Sequence, residues 1–208
     1  MLDQVRVREL LAPFDLSLSA EAVNKLLVYL DLLIRWNRKI NLTAVEAPEE
    51  CVTRHFGESF LASKTVQLSG RLLDIGSGAG FPGLAIKLIS HDLDVVLLEP
   101  VAKKRAFLKE AARVCGITGV QVLGTRIEEF ALAQESQSFD VITVRAVGGL
   151  GSLIRNAEVL LKSGGHFCLW VGRHQVTKIR DATPDFQWQE PLAIPMSHGR
   201  CILTGIRR

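Results

Sequence analysis

The sequence predicts an α/β fold: a mostly parallel sheet with a late antiparallel hairpin, preceded by a helical extension. Three observations predict it. The apolar run Leu72-Leu73 ends in Asp74, and the glycine-dense loop Gly76-Ser77-Gly78-Ala79-Gly80 follows at once, before a helical pattern. From residue 71 strand-like and helical runs alternate, which implies right-handed βαβ crossovers. After Gly172 the alternation stops, and two strand-like runs flank the short segment Pro195–Gly199, as a hairpin requires.

The elements follow in order. Residues 1–70 carry helical spacing and no strand pattern, so they read as a helical extension, and 71–208 as the core. Leu26, Leu27, Leu30, Leu33 and Ile34 recur at helical intervals behind a Ser19 cap. A further helix is expected from near Pro48 to Val66, with proline and two glutamates in its first turn. Strands are expected at 71–75, 94–98, 120–123, 139–144 and 165–171, with helices at 83–89, 103–115 and 150–161. A helical stretch near 174–182 leads to hairpin strands at 186–194 and 200–206.

The loop has two registers. Gly78-x-Gly80-x-x-Gly83 formally matches the dinucleotide fingerprint, but it begins two residues late relative to the strand end. Asp74-x-Gly76-x-Gly78-x-Gly80 fits better and resembles the first motif of class I S-adenosylmethionine (SAM) methyltransferases. A carboxylate at the loop entrance would repel a pyrophosphate, whereas it suits a ligand carrying an ammonium and a sulfonium. The second strand ends in Glu99, about 20 residues beyond the loop, where an acid accepts hydrogen bonds from ribose hydroxyls. NAD enzymes share that device, so it marks nucleoside binding without choosing the cofactor. The late hairpin favours the methyltransferase layout over an NAD-linked oxidoreductase.

Composition excludes little and is informative for that. The chain has 208 residues, 48% hydrophobic and 23% charged, ordinary for a globular protein with one sizeable domain. No apolar run reaches the length of a membrane span, and the first residues lack a signal peptide's apolar core. Cys51, Cys115, Cys168 and Cys201 are scattered without zinc spacing, so no metal is expected and the thiols read as reduced, in a cytoplasmic protein. Net charge is +3, and residues 146–208 hold 8 basic against 4 acidic side chains. A basic surface beside such a site suggests a polyanionic substrate, most simply nucleic acid.

The ordered motifs give a specific resemblance. Trp36-Asn37 with Asn41-Leu42-Thr43, Arg54-His55 with Ser59, the Asp74–Gly83 loop, Lys103-Lys104 with Phe107-Leu108, Arg126-x-Glu128-Glu129, and Arg145-Ala146 together resemble the RsmG/GidB family. Those are bacterial methyltransferases that modify guanine N7 in 16S small-subunit ribosomal RNA. The resemblance implies SAM as cofactor, with S-adenosylhomocysteine as product. It implies as partner the 16S rRNA, in the small ribosomal subunit or its assembly intermediate, with a target in the 530 loop, and a monomeric enzyme that binds no membrane.

It also implies roles residue by residue. Asp74, Gly76, Ser77, Gly78, Gly80 and Phe81 would hold the methionine and adenosine moieties, Glu99 the ribose, and Ile127 and Glu128 the adenine. Arg145 would sit beside the methyl group and the substrate, as the catalytic residue. His55, Arg126, Arg173 and Arg200 are the candidate RNA contacts. Glu58 stands where the family usually has Asp. Glu99-Pro100 replaces Asp-Ser. Val171 replaces a lysine before glycine, with Arg173 two residues on.

The chemistry narrows by what is missing. No Asn/Asp-Pro-Pro-aromatic motif follows the fourth strand, and no Pro-Cys pair exists to supply a pyrimidine nucleophile. Guanine N7 needs neither, so direct SN2 transfer by proximity and orientation is expected, with an unstacked target nucleotide. The alternatives are a SAM methyltransferase for another RNA or a small molecule or protein, and a SAM-binding RNA module without catalysis. Arg145 also has a structural alternative, pairing with Asp74 or Glu128.

Overall fold

The computed structural model describes residues 2–145 and 149–208. Helix α1 (Gln4–Leu11) starts where the Asp3 carboxylate accepts the Arg6 N–H. Helix α2 (Ala20–Ile40) starts likewise, the Ser19 hydroxyl accepting from Ala22 N–H. Its buried stripe includes Val23, Leu26, Tyr29, Leu30 and Leu33. Asn41 ends it in a left-handed conformation (φ 48°).

The single helix expected over 48–66 is corrected. The segment is helical but changes pitch, from α3 (Pro48–Cys51) through a π turn (Val52–Gly57) to α4 (Glu58–Phe60) and a 3-10 turn (Leu61–Lys64). Its hydroxyls compete for the ladder's carbonyls. Thr53 Oγ1 bonds to Glu49 and Glu50, Ser59 Oγ to His55, and Ser63 Oγ to Phe60. Gly57 also lies flat against Phe14, whose ring would stand 2.8 Å from any Cβ there.

The sheet begins with β1 (Gly70–Ile75), followed by α5 (Gly83–Ile89), β2 (Leu93–Leu98), α6 (Ala102–Val114) and β3 (Val120–Leu123). Next come α7 (Ile127–Ala133), β4 (Phe139–Arg145), α8 (Leu150–Glu158) and β5 (Leu161–Gly172). The sequence pattern had not announced α7, a helix of seven residues. Strand β5 starts at Leu161, so the helix expected to reach that residue stops at Glu158. A 3-10 turn (Arg173–Gln175) and α9 (Val176–Ala182) lead to β6 (Phe186–Trp188), β7 (Leu192–Ala193) and β8 (Arg200–Arg207). The expected strand over 186–194 is thus split in two. Pro191 has no N–H to give the ladder, and the chain leaves the sheet before it. The sheet therefore has eight strands rather than seven.

Strand order is β3-β2-β1-β4-β5-β8-β6, with β7 also paired to β8. The first five strands are parallel, while β8 runs antiparallel to β5, β6 and β7. Side chains alternate between the two faces and make two apolar clusters. One joins Leu72, Val95, Leu97 and Val141 to α5, α6 and the N-terminal helices, so residues 1–70 complete that layer. The other joins Leu73, Val96, Ile142 and Leu169 to α7, α8 and α9. The strand order reverses between β1 and β4, both sides of which open toward the carboxyl edge, where ligands bind in such sheets. Among the described residues no helix is long and apolar enough to cross a membrane.

Candidate active site

The carboxyl edge carries two groups of residues. The first is the glycine loop after β1. Gly76 N–H and Ser77 N–H both donate to the Leu98 carbonyl, which pins the loop to the end of β2. Gly78 N–H donates to Glu99 Oε2 at 2.9 Å, and Val101 N–H to Glu99 Oε1 at 2.8 Å. Glu99 is buried, and its carboxylate oxygens keep further lone pairs free to accept. Gly78 has φ 57°, and a Cβ there would meet nothing closer than Gly76 O at 3.9 Å, so the backbone there is bare; a cleft opens beside the loop. That cleft, about 400 Å³, is lined by Gly76, Pro100, Arg126, Ile127, Glu128 and Leu153, among others.

Of the expected cofactor residues, Gly76, Ile127 and Glu128 line this cleft, while Asp74, Gly80 and Phe81 are engaged within the protein. Asp74 is fully buried beneath the loop rather than in the cleft wall. Its Oδ1 accepts from Thr143 Oγ1 at 2.8 Å, because β1 and β4 pair in register at these two residues. Its Oδ2 has no hydrogen-bond partner among the described residues, and any Cβ on Gly83 would stand 2.8 Å from it. Burial pushes the Asp74 carboxyl up to about 6, against the opposing hydrogen bonds from Thr143, Ser77 and Gly83. Gly80 and Phe81 turn toward α2. Phe81 stacks on Tyr29 (5.6 Å between centroids), and the Tyr29 hydroxyl donates to Ala79 O at 2.7 Å.

The second group is made of side chains from distant elements. Arg145, at the end of β4, reaches His55 of the π turn, with Nη2 3.0 Å from Nδ1. His55 Nε2 lies 2.7 Å from Thr43 Oγ1, and its ring stacks on Phe81 at 4.7 Å. Burial, then the nearby guanidiniums of Arg145 and Arg54, push the His55 imidazole down to about 3, so it is neutral. Glu58, buried one turn on, pairs with Arg200 at 2.9 Å. Arg200 is opposite Gly172 in the β5–β8 ladder, which brings it to the same edge.

Of the expected substrate residues, the structure therefore unites His55 with Arg145, and places Arg200 beside them through Glu58. Arg126 is exposed at the mouth of the cleft, and Arg173 is exposed just beyond β5. Arg145 makes no ion pair with Asp74 or Glu128. Its Nη1 is buried without a hydrogen-bond partner among the described residues. Val171 points into the second apolar cluster. Ala146, part of the Arg145-Ala146 pair, lies outside the described residues.

Sequence reasoning gave no role to Glu58, Thr43, Tyr29 or Thr143. Asn37 and Thr43 carried a signal in the spacing of Trp36-Asn37 and Asn41-Leu42-Thr43, since Asn37 binds both the N–H (2.8 Å) and the carbonyl (3.0 Å) of Thr43.

A glycine loop at the switch point, an acid at the tip of β2 and a late antiparallel strand define a class I SAM-dependent methyltransferase fold. A solved SAM-dependent methyltransferase from Aquifex aeolicus shares it, with a TM-score of 0.62 at 12% identity over 76% of this chain and 93% of that one. The particular family is shown by sequence. Residues 22–202 match the GidB family, rRNA small subunit methyltransferase G, and the chain belongs to it. Ribosomal RNA small subunit methyltransferase G of Syntrophotalea carbinolica is 34% identical over 205 residues, covering 99% of this chain and 94% of the relative. The protein of the same name from Chromohalobacter salexigens is 34% identical over 95% of this chain and 94% of its own.

Proposed function

We propose that this protein transfers a methyl group from SAM to N7 of a guanine in 16S rRNA, in the 530 loop of the small subunit. One observation carries the reading. The same sheet edge holds a bare glycine backbone tied to a buried acid and, beside it, a half-buried arginine with one donor unpaired among the described residues. The family supports the RNA class of substrate, and the guanine N7 target follows from the resemblance and from the absence of devices for other base atoms.

The residues fit the cofactor. The backbone at Gly78 leaves room for close approach, Glu99 would take the ribose, and Ile127 with Leu153 would flank the adenine. The cofactor would supply an electrophilic methyl on sulfur, open to in-line attack by a ring nitrogen. Guanine N7 carries a free lone pair, so no general base is required. Arg145 would donate to an acceptor on the base and orient it, which places proximity and orientation at the centre of the rate. Exposed Arg126 and Arg173 would meet phosphates.

The test is transfer of labelled methyl from SAM to small subunits from cells lacking this protein, followed by cleavage mapping of N7-methylguanine. Incorporation at one guanine is expected, abolished by Gly78→Arg and sharply reduced by Arg145→Ala. Cofactor binding with no labelling of subunits, assembly intermediates or naked rRNA would leave the fold and overturn the substrate.

A further inference from the structure

From the turn after α2 to Arg145 runs a chain of polar contacts with a direction built into it. Asn37 clamps the backbone of Thr43 through two hydrogen bonds, fixing the turn after α2. Thr43 Oγ1 accepts from Val45 N–H at 3.1 Å and lies 2.7 Å from His55 Nε2. On the other side of the ring, Nδ1 lies 3.0 Å from Arg145 Nη2. A guanidinium only donates, so Nδ1 must accept. A neutral imidazole has one proton, which is then on Nε2 and points at Thr43. Only one tautomer satisfies both contacts.

The ring cannot easily rotate out of this role. It is buried, and Phe81 stacks on it at an interplanar angle of 18°. The charged groups facing it are Arg54 on its own turn, Arg145 from β4 and Arg200 from β8, all cationic, with Glu58 engaged by Arg200. Because His55 occupies Nη2 of Arg145, the buried Nη1 is left as a donor with no described partner. An unpaired buried donor costs about 1–3 kcal/mol, and an incoming carbonyl acceptor would remove that cost.

We infer that His55 is a positioning residue: held as the Nε2–H tautomer by Thr43 and Asn37, it aims Arg145 so that Nη1 is presented to an acceptor on the substrate base. The inference rests on the methyl-transfer reading above and adds the device that sets the direction of Arg145. In this role His55 would act through Arg145 and not by its own contact with cofactor or base. Through Phe81, which adjoins Gly80, the device also ties the arginine to the cofactor loop.

Nitrogen-15 NMR of the full chain tests the tautomer without any activity. The His55 signals should show a bare Nδ1 and a protonated Nε2, unchanged between about pH 5 and pH 8. Thr43→Val should alter the Nε2 environment while the fold's other signals stay in place. An imidazolium, or a proton on Nδ1, would overturn the inference.

Kinetics with the RNA substrate then tests the aim. His55→Leu should lower kcat about tenfold to a hundredfold, with cofactor affinity by calorimetry within about twofold. His55→Gln, which can accept from Arg145 and donate to Thr43, should recover most of that loss. Combined with Arg145→Ala, His55→Leu should add nothing. Equal losses for Leu and Gln, or losses that multiply in the double variant, would overturn the inference. A full rate for Arg145→Ala alone would instead break the proposed role of Arg145, whatever NMR shows of His55.

Discussion

The two halves of the carboxyl edge are built from different materials. The half proposed to take the cofactor is main chain: Gly76, Ser77 and Gly78 use their N–H groups, and the acid that receives Gly78 lies just past the neighbouring strand. The guanidinium half is side chain: Arg145 meets a residue 90 positions away, and Arg200 one 142 positions away. A backbone site depends on local conformation, so one extra carbon atom disrupts it. A side-chain site depends on the packing of elements that bring its members together, so it fails through charge and alignment.

Within the cofactor half, Gly80 and Gly78 separate fold from binding. A Cβ on Gly80 would fall on the Tyr29 hydroxyl and crowd Leu84 at 2.9 Å, at φ 85°. Overpacking and a left-handed alanine together cost about 2–5 kcal/mol. Gly80→Ala should therefore lower the melting temperature steeply and release α2 from the loop. Gly78→Ala meets open space and costs about 1 kcal/mol for its positive φ. It should melt near the wild type yet bind cofactor poorly in calorimetry. Equal melting of the two variants would erase the distinction.

Asp74 tests burial beneath the same loop. Its carboxyl is raised from 3.8 to about 6 by desolvation, so the folded state prefers the protonated acid. The stability from that preference is complete below the unfolded value and is lost as pH rises through about 6. Asp74→Asn lacks this loss. The melting temperature of the variant relative to wild type should climb between about pH 4 and pH 8, by an amount worth at most about 3 kcal/mol. A difference that does not vary with pH would mean that the carboxyl titrates normally.

What was legible in the chain follows the same division. The loop, its flanking strand and helix, and Glu99 could be read because glycine spacing and strand-end acids report local geometry. Arg145, His55 and Arg200 surfaced through a family's ordered motifs, since nothing local says that β4 and the π turn meet. Glu58 could not be given its partner, because Arg200 comes alongside only through the β5–β8 register. Tyr29 was given no role, because its bond to Ala79 spans 50 residues. The π turn was missed for a different reason: it arises from hydroxyls and a ring contact acting on a segment whose periodicity is helical throughout.

In the guanidinium half, Arg200→Met leaves the Glu58 carboxylate buried without its partner. Breaking a buried pair costs about 3–5 kcal/mol, and the half exposure of Arg200 brings the expected loss to about 2 kcal/mol. The loss should shrink on acidification, since burial already favours protonated Glu58. Chemical denaturation at two pH values checks this, and an unchanged stability would show that Glu58 is solvated through another path.

Arg173 carries the smallest expected effect and tests where RNA phosphates are met. It is exposed, and its side chain has no hydrogen bond or ion pair among the described residues. Arg173→Gln should therefore leave the melting temperature unchanged. If its guanidinium neutralises one phosphate, the slope of log affinity for single-stranded RNA against log salt should fall in magnitude by about 0.7. Arg145→Gln should differ in kind, lowering the rate with little change of salt slope, because its donor is buried and, in the proposed role, meets a base and not a phosphate. Were Arg173→Gln to change the rate and not the slope, the two arginines would belong to one site, and the basic end of the chain would not be reading the phosphate backbone at that residue.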